Sequence, residues 1–350
     1  MNANAATDKP IDVLRSELEI CWNFSYEMNS EKLKNLYSKA KRLQWDAEQQ
    51  IDWDTPIDPS RPLIDEDRFG MTQLPFVQRM SKSQQEALRA HIAAYQLSQF
   101  MHGEQGALMT AAALTHAVPD YEGKLYAATQ TMDEARHVEV YARYIQKLAI
   151  VYPMSKILKD VIDTTLKADR WVKIAIGMNM VVEGLALGAF QNMRRSTGCS
   201  LLRSIVEGVL RDEARHVAFG SLYVQQAISA MHPDEREDVA DFSFTVISAM
   251  RGAAGRTEGR AGYAPDPGFV QVLVSVGIDP ADFVKGVMEA RTAGIRVQPP
   301  ADQVHAYRDV MMPALVRVGA VTERVRERYA QAGIKIYEDQ TVLRSMEEAV

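Results

Sequence analysis

Cysteine is nearly missing: Cys21 and Cys199 are the two in 350 residues. They form no Cys-x-x-Cys pair, which excludes a rubredoxin-type iron site and a redox dithiol. A reduced, cytoplasmic setting is the expectation. The opening residues, MNANAATDKP, have neither a basic start nor an apolar run, so no signal peptide is expected. Excess positive charge is missing too. Forty Lys and Arg face 46 Asp and Glu, a net charge of −6, so no nucleic-acid partner is expected. A nearly uncharged run, residues 174–193, carries Glu183 as its single charge. That length could span a bilayer. Asn179, Gln191, Asn192, three glycines and the acid argue instead for a core helix, and no membrane partner is expected. Strand-rich and low-complexity regions are absent. With 47% hydrophobic residues, a large core is affordable.

What is present is a duplication. Asp-Glu-Ala-Arg-His-Val occurs at residues 133–138 and again at 212–217. A lone glutamate inside an apolar segment precedes each copy at one spacing: 134 − 104 = 30 and 213 − 183 = 30. Positions i and i+3 of a helix share a face. Glu134 with His137, and Glu213 with His216, can therefore each hold a metal ion, and Glu104 and Glu183 would add a carboxylate apiece. Four carboxylates and two imidazoles suit a pair of iron or manganese ions better than zinc. A single Glu-x-x-His is usually a solvated helix face; the doubled pattern is what carries the assignment.

Helical periodicity covers residues 11–50, through Leu14, Leu18, Cys21 and Trp22, then Leu33, Leu36 and Tyr37. Prolines break residues 51–75 into an extended strap, with Trp53, Ile57, Leu63, Ile64 and Phe69 needing burial. Four long helices follow at about 81–116, 120–151, 168–195 and 201–231, with a shorter one at 155–166. Ser81 or Ser83 is the expected cap of the first. Further helices are expected at 234–252, 268–276, 280–293 and 301–332. Residues 252–262 form a glycine-rich loop with no strand before it, read as a flexible connection before a lid for an anionic group. The division expected is 1–80 for N-terminal helices and strap, 81–232 for the metal-binding bundle, and 233–350 for a helical extension packed on it. The fold class is all-α.

With both copies in view, residues 81–232 resemble the ferritin-like di-iron carboxylate proteins. Similar members are the multicomponent monooxygenase hydroxylases, the ribonucleotide reductase small subunit and single-chain di-iron oxygenases. The resemblance implies a four-helix bundle in which Glu104, Glu134 and His137 form one half of the ligand set and Glu183, Glu213 and His216 the other. It implies that Asp212 orients His137 and Asp133 orients His216, with Arg136 and Arg215 steadying those aspartates or making ordinary bundle salt bridges. Tyr141 stands at the place of the reductase's radical tyrosine, although a core tyrosine near the site is the first reading. Leu187 stands where the hydroxylases resemble one another in carrying threonine. Val209 stands where the arylamine N-oxygenases supply an extra histidine. Neither subfamily is assigned on these residues.

The expected function is a non-haem di-iron monooxygenase or oxidase that activates O2 to attack a small hydrophobic or aromatic substrate. Two Fe ions are expected, with Mn/Fe as the other pairing. Phe100, Ala107, Leu108, Ala111, Met180, Gly184 and Leu187 would wall the cavity. No flavin or nicotinamide motif is visible, so an external reductase or ferredoxin is expected, and a homodimer. The rivals are a ferroxidase, a radical-generating subunit using Tyr141, and a manganese catalase.

Overall fold

The computed structural model describes residues 11–58, 60–61, 63–64, 74–254, 266–294 and 302–348. Among them every regular element is helical. The elements needed to follow the site are α1 (Glu31–Arg42), α2 (Lys82–Ala117), α3 (Tyr121–Leu148), α4 (Lys156–Leu166), α5 (Trp171–Ser196), α6 (Ser200–Ala230) and α7 (Pro233–Ala254). Helices α2, α3, α5 and α6 make the bundle.

Local chemistry sets the ends. Ser81 caps α2 in a reciprocal box: its hydroxyl accepts from Gln84 N, while the Gln84 side chain accepts from Ser81 N. Such a cap contributes about 1 kcal/mol. Ser155 caps α4 by accepting from Leu158 N. Ser30 caps α1, and Glu122 ties that start to α3 by accepting from Asn29 N and Ser30 N. Helix α5 is long and apolar enough to cross a membrane, but 89% of its apolar window is buried inside the protein. It is interrupted by a π segment, Ile176–Val182, that ends directly before Glu183.

The core divides into two apolar clusters. One gathers Ala107, Tyr126, Met180 and Phe219. The other gathers Leu97, Tyr141, Phe190 and Val209. On α2, α3 and α6, Glu104, Asp133, Glu134, His137, Asp212, Glu213 and His216 lie in sequence between residues of one cluster and residues of the other, so this polar layer sits where the two meet.

Two expectations about helices are corrected. Residues 11–30 form no helix. They run over the surface, held by Cys21 N donating to His116 O and Asn23 Nδ2 to Pro119 O, and Trp22 is 78% exposed. The single helix expected at 301–332 is broken. A π segment, Ala306–Met311, leads into Met312–Arg317, and Glu323–Gln331 follows after a turn in which Gly319 has φ +83°. That backbone suits glycine and ends a right-handed helix. A further helix, Thr341–Glu348, was not foreseen. In the strap Trp53, Leu63 and Ile64 are buried. Phe69 and residues 255–262 of the glycine-rich loop lie outside the described residues.

Candidate metal centre

Each bundle helix brings its own residue to one point. Glu104 comes from the middle of α2, Glu134 and His137 from α3, Glu183 from α5 just past the π segment, and Glu213 and His216 from α6. All six are buried. His137 Nδ1 lies 3.3 Å from Glu104 Oε2, 3.2 Å from Glu134 Oε2 and 3.1 Å from Glu213 Oε1. His216 Nδ1 lies 3.1 Å from Glu134 Oε1, 3.4 Å from Glu213 Oε2 and 3.9 Å from Glu183 Oε1. Glu134 and Glu213 thus turn one oxygen to each histidine, while Glu104 faces His137 and Glu183 faces His216. Two overlapping ligand groups result, Glu104/Glu134/His137/Glu213 and Glu134/Glu183/His216.

The other imidazole nitrogens face outward to aspartates. His137 Nε2 is 3.1 Å from Asp212 Oδ2, and His216 Nε2 is 3.3 Å from Asp133 Oδ2. Each pair crosses between α3 and α6. Arg136 Nη2 donates to both Asp133 and Asp212, and Arg215 Nη2 does the same. With Nε2–H given to a carboxylate, each Nδ1 keeps its lone pair aimed at the centre.

The donor set fits a pair of metal ions. Both carboxylate oxygens of Glu213 and the Nδ1 of His216 are buried without a hydrogen-bond partner among the described residues. Buried polar atoms left so are costly. Burial and the neighbouring charge of Glu213 push Glu104 up to about 8, and the same two causes push Glu183 well above the carboxylate range. Burial would lower His216, yet the charge of Glu134 and the bond to Asp133 push it up to about 10. Acids that resist ionising and histidines that resist neutralising are the behaviour of a ligand cage answered by protons in place of cations.

Four residues around the cage escaped the sequence reading. Gln130 Nε2 donates to Glu134 Oε1 at 3.0 Å and Glu183 Oε1 at 3.3 Å, and Asn179 Nδ2 donates to Gln130 Oε1 at 3.1 Å. Gln130 is four residues before Glu134, so its shared face was readable. Gln44 Nε2 donates to Asp133 Oδ1 at 2.7 Å, and Trp45 Nε1 to Asp212 Oδ2 at 2.7 Å. No local signal ties these two to the duplication. Tyr141 is fully buried between Phe100 and Phe190, its hydroxyl without a partner among the described residues. Val209 is buried in the apolar cluster and offers no donor atom.

A cavity of about 840 Å³ reaches in from the surface. Leu187, Leu210 and Ala214 line it, with Arg194, Arg195 and Arg211. Of the seven expected wall residues, Leu187 is the one that lines it.

The p-aminobenzoate N-oxygenase AurF family model matches residues 27–261, more than half of the chain. No curated protein sequence matches. Among solved structures, the chain is similar to an R2-like ligand-binding oxidase with aerobically reconstituted Mn/Fe cofactor, at 17% identity and TM-score 0.48, covering 89% of this chain and 95% of that one. The same oxidase with its metal cofactor after photoconversion gives 17% identity and TM-score 0.47 over 89% and 95%. With its all-helical, ferritin-like bundle and its buried carboxylate–histidine cage, the chain belongs to the p-aminobenzoate N-oxygenase AurF family and is an oxygen-activating oxidoreductase with a di-metal centre.

Proposed function

We propose that the chain is a di-iron oxygenase whose ions are held by Glu104, Glu134, His137, Glu183, Glu213 and His216, and that it oxidises a small apolar or aromatic molecule. The observation that carries this is the split of Glu134 and Glu213 between the two histidines. When bound, the iron pair supplies the electrons and open coordination positions for reduction of O2. The protein's part is placement. Glu134 and Glu213 hold the two positions at a fixed separation. Asp212 and Asp133 fix the imidazole planes, and Gln130 restrains Glu134 and Glu183. The apolar clusters on either side keep bulk water from the centre.

The 840 Å³ cavity supports a small organic substrate, because it is of ligand size and borders Leu187, one turn beyond Glu183, and Ala214, next to Glu213. Arylamine N-oxygenation, the family's namesake activity, is the first chemistry to test. Val209 leaves the cage without the extra histidine of the arylamine enzymes. A Mn/Fe pair is the other metal content the cage suits. Electrons come from a separate reductase or ferredoxin, and the working form is a cytoplasmic homodimer.

The test is to load anaerobic protein with two Fe(II) per chain, mix it with O2 in stopped flow, and supply a reductant with arylamines or apolar hydrocarbons. The expected result is a transient absorption change, iron that stays bound, and a product carrying an O2-derived oxygen. Oxidation followed by release or mineralisation of the iron would sink the reading and favour a ferroxidase.

A further inference from the structure

Four aromatic rings lie face to face in one run. Tyr126 stacks on Phe219 with centroids 4.1 Å apart and planes at 17°. Phe219 stacks on Tyr223 at 5.3 Å and 24°, and Tyr223 on Trp171 at 4.7 Å and 28°. The run begins inside the centre's surroundings. Tyr126 is buried within the electrostatic reach of Arg215, Asp133 and Glu134, and its hydroxyl has no partner among the described residues. Phe219 follows His216 by three positions on α6. The run ends at Trp171, the half-buried first residue of α5.

Two details go beyond ordinary aromatic packing. Tyr223 donates its hydroxyl to Asp120 Oδ2 at 2.6 Å. Asp120 is the N-cap residue of α3, where an aspartate normally accepts backbone N–H groups, yet its side chain makes no capping bond. The carboxylate serves Tyr223 and is exposed to water. Gly123 provides the room: a Cβ there would lie 2.9 Å from Cζ and the hydroxyl of Tyr223.

We propose that Trp171, Tyr223, Phe219 and Tyr126 form an electron relay that reduces the oxidised centre from the protein surface when no substrate is bound. This rests on the oxygen-activating function proposed above. In one pass Tyr223 loses one electron to the centre oxidised by O2, with the rings of Phe219 and Tyr126 as the conducting bridge. Its O–H bond breaks and the proton passes to Asp120, so no charged phenol is left in the core. Trp171 then gives one electron to Tyr223, Asp120 returns the proton, and the indole N–H proton goes to water. A small thiol in solution gives Trp171 one electron and one proton and becomes a thiyl radical; the thiyl radicals of two passes combine as a disulfide. Two passes deliver two electrons. Phenylalanine is too hard to oxidise to hold the charge itself, which suits it to the bridge. The relay spares Tyr141 and Met180, both fully buried, from oxidation.

Two measurements test the relay, one of them free of metal. In metal-free Trp22→Phe protein, azidyl radicals from pulse radiolysis oxidise accessible indole, Trp22 being the highly exposed competitor that the substitution removes. The indolyl signal should relax to a lasting mixture of indolyl and phenoxyl, the electron passing both ways between Trp171 and Tyr223, and Tyr223→Phe should abolish that exchange. In iron-loaded protein exposed to O2 without substrate or thiol, peptide mass spectrometry should find added oxygen at Trp171. Phe219→Leu should lower it several-fold and move the damage to Tyr141 and Met180. No exchange between indolyl and phenoxyl, or complete conversion to phenoxyl, overturns the relay whatever the metal chemistry does. O2 uptake with Trp171 unmodified, or modified equally in Phe219→Leu, overturns it while leaving the proposed function intact. Failure of the loaded protein to take up O2 defeats the proposed function, and with it the relay's role as an outlet for the centre.

Discussion

Trp45 donates its indole N–H to Asp212 Oδ2 at 2.7 Å, the oxygen that also faces His137 Nε2 at 3.1 Å. A residue just beyond the end of α1 thereby helps set the direction of an imidazole in the bundle core. Trp45→Phe keeps the ring over Arg136 and removes the donor. A hydrogen bond to a charged group contributes about 1.5–3 kcal/mol, so a lower melting temperature is expected by calorimetry. Weaker retention of metal against a chelator should accompany it.

The crossed aspartates give the next prediction. Asp212→Asn and Asp133→Asn replace the charged carboxylate that fixes His137 and His216 respectively with a neutral amide, which keeps one acceptor oxygen and turns the other position into a donor. Partners of this kind are typically worth about 10–100-fold in metal affinity or activity. Unchanged affinity and turnover in both variants would show that the crossed pairs do not support the ligands.

Bridging and terminal carboxylates should differ in metal count. Glu134 reaches both histidines, at 3.2 and 3.1 Å, whereas Glu104 reaches His137. Glu134→Ala and Glu213→Ala are expected to lose both ions and Glu104→Ala to weaken one, with the helical far-UV signal preserved. Metal analysis after gel filtration gives the counts, and full occupancy in the Glu134 and Glu213 variants would contradict the bridging assignment.

Removing metal should make stability depend on pH in a stated direction. Glu104 is pushed from 4.5 to about 8 by burial and the charge of Glu213. His216 is held up at about 10, from 6.5, because Glu134 and Asp133 outweigh burial. In both cases the folded state holds the proton more tightly than the unfolded chain. The Glu104 contribution is complete below 4.5 and lost as pH rises through about 8; the His216 contribution is complete below 6.5 and lost through about 10. The metal-free protein should melt at falling temperature as pH is raised from 6.5 towards 10, and the metal-loaded protein should not. A flat metal-free profile would contradict these shifts.

The bundle was legible because its period repeats. Helices carrying Glu104, Glu134, Glu183 and Glu213 appear within a few residues of their expected bounds, since Ser81 caps the first and Pro119, Pro153 and Pro233 follow three of them. Periodicity misled at residues 11–30, where a 3.6-residue pattern through Leu14, Leu18 and Trp22 was read as a helix. Ile20, Trp22, Phe24 and Tyr26 in fact alternate at a spacing of two, and all four are highly exposed on an extended chain. Gln130 was readable from its position one turn before Glu134. Asn179 is an amide in an apolar run, but its partner Gln130 is 49 residues away. Trp45 lies 167 residues from Asp212, and nothing in a one-dimensional pattern joins them.

The π segment Ile176–Val182 fixes an angular phase. A π turn holds one residue more than the α-helical turn it replaces, and one residue corresponds to about 100° of rotation around a helix axis. Trp171, at the surface end of the aromatic run, and Glu183, in the cage, lie on opposite sides of that surplus residue. Were the segment to rewind as regular α-helix, Glu183 and Trp171 could not both keep their present bearings. The carboxylate facing His216 and the indole facing Tyr223 are therefore geared to each other, and a shift at either end is transmitted as a turn of the helix between them.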